Sequence, residues 1–312
     1  GCGRAHWPAM QHSRRETGQG PQCRHRARAV RRARPHPSPP TPPNPAACGH
    51  ATRTAGGASG LSVRILAFDT ATWTCSVALV RDGVVLAERS ERTERTGASH
   101  AGTLPRLVEA VLHAAGERLE RGDAVAVSIG PGSFTGLRIG LSFAKGLGFA
   151  AGLHLVGVPT LDALALAAPA WEGRLCAALD ARKQEIYAAI YEQSGGRIVR
   201  LGEPRALTAV RMVAEAGAPC SVIGNAVEAY GDVFRRVLGD GVRLLPSDRY
   251  PPRAGALARL AAAPLAREPA GDDPVTLVPA YLRPPEAELT QSARAPSAAP
   301  AAPFVDKTAL VY

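Results

Sequence analysis

Outside its first 62 residues the sequence has no two histidines within five positions of each other, and nowhere does it carry a CxxC pair. Without paired imidazoles or thiolates, a zinc or iron site of the usual kind is not expected. The six cysteines (Cys2, Cys23, Cys48, Cys75, Cys176 and Cys220) are scattered and follow no apolar signal segment. They read as free thiols in a reducing cytoplasm. No GxSxG or HExxH signature supports a peptidase. The most apolar stretch, SIGPGSFTGLRIGLSFAKGLGFAAG (128–152), is broken by Arg138 and Lys145 and is no membrane span.

Acidic residues are also missing from one region. Residues 1–62 hold ten arginines against Glu16 alone, which accounts for nearly all of the net charge of +10. The remaining body is almost neutral and has no charge footprint for gripping RNA by itself. The same 62 residues contain nine prolines and few large aliphatics. Such a segment cannot offset the entropy of ordering and is expected to be a disordered extension outside the mature protein. It is arginine-rich like a transit peptide, but its HPSPPTPPNP run would break an amphipathic helix. Val63 reads as a natural start. Residues 286–312, rich in alanine and proline, are expected to be a disordered tail.

Between these ends a pattern occurs twice. RILAFDTA is an apolar run ending at Asp69, and two strands follow around Asp82-Gly83, a tight-hairpin signal. Next comes a helix with Leu104, Leu107, Val108 and Val111 on one stripe. Its start is open: Pro105 suits a first turn, while Ser99 and Thr103 could each cap. Strand AVAVSIG then meets a glycine turn and a second helix. The second half replays this as RLCAALDA ending at Asp180, strands around Gly195-Gly196, a helix near ALTAVRMVAEAG, strand CSVIG, and a helix from Val227. Two α/β units of this kind, 63–170 and 171–285, describe the actin-like (ASKHA, ribonuclease-H-like) duplicated fold with a cleft between lobes. Hairpins feeding a mixed sheet argue against a Rossmann sheet. At the cleft Asp69 could hold a cation or orient a water. It could equally cap its own turn through the Asx pattern.

GPGSFTG is neither a Walker loop nor the dinucleotide fingerprint, because the glycine and lysine spacings are wrong. What remains is a run of amides at a helix N-terminus with Ser133 and Thr135 as caps. That suits an anion, and it suits an unliganded helix start as well. Along the helix Gly136, Gly140, Ala144 and Gly148 recur every fourth residue. Glycine in a helix costs about 1 kcal/mol relative to alanine, so the strip implies close approach of another helix.

The segments ILAFDTATWTCSVAL, SHAGTLPRLVEAVL, GPGSFTGLRIGLSFAKGLG, GVPTLDALA, LDARKQEIYAAIY and VPAYLR together resemble the TsaB family, over roughly Val63 to Arg283. This resemblance implies an accessory subunit that performs no chemistry itself. It would pair with a TsaD-type catalytic subunit, which transfers threonylcarbamoyl from its adenylate to N6 of the adenosine 3′ of the tRNA anticodon. It also implies a TsaE-type ATPase in the complex, self-pairing when alone, tRNA contact only through the complex, and a nucleotide possible at the subunit junction. Catalytic relatives place two metal-binding histidines after the strand that follows the glycine-turn helix, where this chain has Thr160 and Leu164. The docking face implied is His100, Leu104, Leu107, Val108 and Val111 with Gly136, Arg138, Gly140, Ala144 and Gly148. Asp69, Thr70, Gly130, Gly132, Ser133 and Thr135 would be the remnant of a nucleotide loop. The competing expectation is an autonomous actin-like ATPase or small-molecule kinase using Asp69, Asp180 and the Ser133–Thr135 turn.

Overall fold

A computed structural model describes residues 64–93 and 99–283 of the chain, all within one compact unit. The expectations for 1–62 and 286–312 lie outside these described residues.

The first repeat runs β1 (Arg64–Asp69), β2 (Thr74–Arg81), β3 (Val84–Arg92), α1 (His100–Ala115), β4 (Ala124–Gly130), α2 (Phe134–Ala151), β5 (His154–Pro159) and α3 (Thr160–Leu166). The second runs β6 (Gly173–Arg182), β7 (Glu185–Ser194), β8 (Arg197–Arg200), β9 (Arg205–Thr208), α4 (Ala209–Ala216), β10 (Cys220–Ile223), α5 (Ala226–Leu238), β11 (Val242–Leu245) and α6 (Ala254–Arg267). The first sheet has the order β3-β2-β1-β4-β5, and the second repeats it as β8-β7-β6-β10-β11. In each, an antiparallel meander is joined to two parallel strands, through β1 and β4 in one and β6 and β10 in the other. That duplication is the actin-like fold.

Local chemistry sets the turns. Asp82 and Gly83 both have positive φ, as a two-residue hairpin matching strand twist requires. Lys183 and Gln184 make a second such turn between the paired Arg182, at φ 61°, and Glu185, and the ladder shifts register between Asp180 and Arg182. None of Arg182, Lys183 and Gln184 is glycine or asparagine, so the hairpin carries no sequence signal. Ser99 caps α1, its hydroxyl accepting from the Gly102 amide, while Pro105 sits inside the helix rather than in its first turn. The segment RALT adds β9 to β7, so α4 begins only at Ala209, capped by Thr208.

Packing revises the lobe boundary. One face of the first sheet is covered by α1 and α2, with Leu104, Val111 and Leu141 against Leu66, Phe68 and Val127. The opposite face, Ile65, Ala67, Ala78 and Val80, is covered by Leu257, Leu260 and Ala261 of α6. The strap after α6 joins the same sheet: Asp272 donates its amide to Leu155, and Ala280 donates to Ile129. Residues 254–283 therefore complete the first lobe rather than the second, because an apolar sheet face requires a cover that the first repeat lacks. The second sheet packs α4 and α5 on one face and Leu161, Leu164 and Ala165 of α3 on the other. No helix among the described residues is long and apolar enough to cross a membrane.

Candidate functional site

The β1–β2 turn and the glycine turn after β4 meet at the end of the first sheet. A Cβ on Gly132 would lie 2.5 Å from the Ala71 carbonyl oxygen, and one on Gly136 or Gly140 would overlap Thr70. These glycines thus admit the β1–β2 turn, by its backbone at Gly132 and Gly136 and by the Thr70 hydroxyl at Gly140. The contact is hydrogen-bonded: the Ser133 amide donates to Ala71 O (2.7 Å), and Thr70 Oγ1 donates to Gly136 O (2.8 Å). The Gly136 amide donates to Ser133 Oγ, so Ser133 alone caps α2, and Thr135 stands exposed without a capping role. The Gly130 amide donates to Thr160 Oγ1 at 3.1 Å. At φ 117° Gly130 needs to be glycine, and a side chain there would also strike Ala280 O of the strap. The amides that would cradle an anion at Gly130, Ser133 and Gly136 all donate within the protein.

Asp69 is 2% exposed, and its Oδ1 accepts from the Ala71 amide (2.7 Å) and from Ser128 Oγ (2.8 Å). Of the two open readings, the geometry is the Asx turn. Burial pushes its carboxyl above the ordinary range, against the pull of these two donors. Asp180 makes the corresponding Asx turn in the second lobe, its Oδ1 accepting from the Arg182 amide at 2.8 Å, while its own amide donates to Asn225 Oδ1. Between the lobes, Thr72, Trp73 and Thr74 face Leu179, Asp180 and Asn225 across a cleft of about 130 Å³. Ligand sites ordinarily occupy roughly 300–1,000 Å³.

Thr160 and Leu164 have structural work of their own. Thr160 holds the glycine turn, and Leu164 plugs the space beside Gly224, the second-lobe counterpart of Gly130 at φ 113°. His100 Nε2 donates to the Thr72 carbonyl at 2.9 Å, and burial lowers its pKa. His113 is exposed on α1, and His154 Nδ1 lies 3.2 Å from Ala270 O. Among the described residues no three His, Cys, Asp or Glu side chains are grouped to hold a metal ion.

The docking residues expected from sequence divide by side. Leu104, Leu107, Val108, Val111, Gly136, Gly140 and Ala144 are buried against the first sheet, and a Cβ on Gly148 would press on Leu155. His100 is half-buried under the β1–β2 turn. The small-residue strip therefore brings α2 onto its own sheet and not onto another helix. Only Arg138 of that set points out, stacked 3.7 Å over the Phe134 ring and bonded to the Tyr281 hydroxyl. The outer face of α2 is a second set: Ser142, Gly146, Phe149 and Ala150 are exposed, Phe149 at 96%. Its sequence signal is a parallel small-residue register, Ser142, Gly146 and Ala150, two positions off the first.

A family model described as TsaD, tRNA N6-adenosine threonylcarbamoyltransferase, matches residues 92–290. The tRNA threonylcarbamoyladenosine biosynthesis protein TsaB of Escherichia coli is 38% identical over 194 residues, 59% of this chain and 82% of that protein. The Bacillus subtilis protein of the same name is 28% identical over 227 residues, 72% of this chain and 96% of its own length. Among solved structures, YeaZ from Pseudomonas aeruginosa superposes with a TM-score of 0.59 at 32% identity, covering 70% of this chain and all of that one. A duplicated actin-like body, with its glycine turn closed on itself and these relatives matched over most of their length, places the chain in the TsaB family.

Proposed function

We propose that this protein acts in the synthesis of threonylcarbamoyladenosine in tRNA as a non-catalytic subunit that docks on a TsaD-type catalytic subunit. The names of its relatives support the pathway. The observation that carries the docking role is the outer face of α2, where Phe149 stands exposed beside Ser142, Gly146 and Ala150. Small residues on a helix surface admit a second helix at close range, and a large exposed aromatic supplies area to bury there. Neighbouring α1 also exposes small residues, among them Gly102, Ala110 and Ala114. In this reading the isolated chain pairs with itself through that face, a TsaE-type ATPase joins the assembled pair, and tRNA is held by the complex. The junction of subunits is a place where a nucleotide could sit. The inward-turned amides and the small cleft lend no support to an autonomous ATPase or kinase.

The test is co-expression with a TsaD-type subunit. Gly146→Arg and Phe149→Asp are expected to abolish co-purification without lowering thermal stability, since nothing lies within 4 Å of a Cβ at Gly146 and Phe149 is exposed. Full recovery of the complex from both variants would refute the docking face. Threonylcarbamoylation of tRNA by the purified chain alone would refute the non-catalytic role.

A further inference from the structure

At the outer edge of the second sheet, α5, β11 and the loop 246–250 enclose a groove of about 600 Å³. It is separate from the cleft between the lobes. The boundary is Glu228, whose Oε1 accepts from both the amide (2.6 Å) and the hydroxyl (2.7 Å) of Ser247. Three arginines line the groove, Arg235, Arg243 and Arg249. Glu228 is the single acid in the lining, and its charge is already engaged by Ser247.

The arginines are held but not neutralised. The Arg243 guanidinium lies 5.1 Å from the centre of the Trp171 ring and that of Arg249 5.9 Å from the Tyr250 ring; among the described residues neither guanidinium forms an ion pair, while the Asp248 carboxylate accepts from the Arg249 amide (2.8 Å). Arg235 meets only Asp232, an exposed pair one turn away that solvent screens. A guanidinium with no carboxylate on it keeps its N–H donors for a ligand, and such donors can grip phosphate in a forked pair. Val227, Leu244 and Pro246 give the lining an apolar part. The volume is well above that of an inorganic anion and within the range of small-molecule sites. It is a pocket, not an extended strip.

We infer that this groove binds an organic phosphate of nucleoside-monophosphate size, its phosphate on the arginines and its flat body on the apolar part of the lining. The inference stands apart from subunit docking. The probe is adenosine monophosphate, titrated calorimetrically into the full chain at low ionic strength, beside adenosine and inorganic phosphate. One equivalent of the monophosphate is expected to bind, with adenosine and phosphate each at least roughly tenfold weaker. Arg243→Gln with Arg249→Gln is expected to weaken binding by about ten- to a hundredfold, while Trp73→Ala in the cleft changes it little. Should the half-buried Arg243 prove necessary for folding, Arg249→Glu at an exposed position serves alone. Equal affinity for phosphate and monophosphate would overturn the inference. So would indifference to the arginine variants, loss of binding with Trp73→Ala, or capture of a single-stranded RNA oligomer without the monophosphate.

Discussion

Gly136 and Gly146 sit on one helix in different surroundings, the first against Thr70 and the second with nothing within 4 Å, so the same substitution should act on them with opposite sign. Alanine at Gly136 drives a methyl group into the Thr70 carbonyl, and a loss of about 3 kcal/mol or more is expected in denaturant unfolding. Alanine at Gly146 meets nothing and removes a flexible residue from a helix interior, for a gain of about 0.5–1 kcal/mol. Asp69 adds a pH signature. Its carboxyl titrates higher in the folded state than in the unfolded chain, so the folded state binds the extra proton. Stability is therefore lost as pH rises from the ordinary carboxylate value through the raised one, and regained on acidification. Against Asp69→Asn as reference, the wild-type protein is expected to gain relative stability from pH 7 toward pH 4. The opposite slope would show that the hydrogen bonds from Ala71 and Ser128 outweigh burial. The Asx turn was legible in the sequence as one of two choices. The inward direction of the Gly136–Gly148 strip was not, because both sides of α2 combine small and apolar residues, and periodicity finds a stripe without saying what covers it.

At the scale of elements, the duplicated order of strands and helices could be read from apolar runs, Asp-ended strands and glycine turns, and both sheets follow it. Helix α6 escaped. Its first residues carry no capping side chain of their own; instead Gly255 donates its amide to Glu88 Oε1 on β3 (2.9 Å), and Ala254 donates to Ser76 Oγ on β2 (3.0 Å). A cap contributed from more than 160 positions away leaves no local trace. Because Glu88 places a carboxylate at the positive end of α6 and also meets Arg253, Glu88→Ala is expected to cost about 1–2 kcal/mol, and Glu88→Gln less. Chemical denaturation of the two variants measures this, and equal effects would mean that charge contributes nothing. The Arg182–Gln184 hairpin escaped for the complementary reason: three residues hold positive φ without the glycine or asparagine that normally announces it.

Across the whole molecule, the lobes are tied by α3. Asp162 belongs to the first repeat by sequence, yet it accepts from Tyr191 (2.8 Å) and pairs with Arg200 (3.1 Å), both on the second sheet. Removing it leaves a largely buried guanidinium short of its partner, and Asp162→Ala is expected to destabilise the protein by roughly 3 kcal/mol. A near-neutral result in thermal or denaturant unfolding would show that Glu203, 3.6 Å from Arg200, suffices by itself. The return of α6 and the strap to the first sheet has a further consequence in time. On the ribosome, the strands of the first lobe emerge early, but their missing cover and the segment that closes Gly130 are translated after Leu245, when the second sheet is already complete. The half that is made first is finished last.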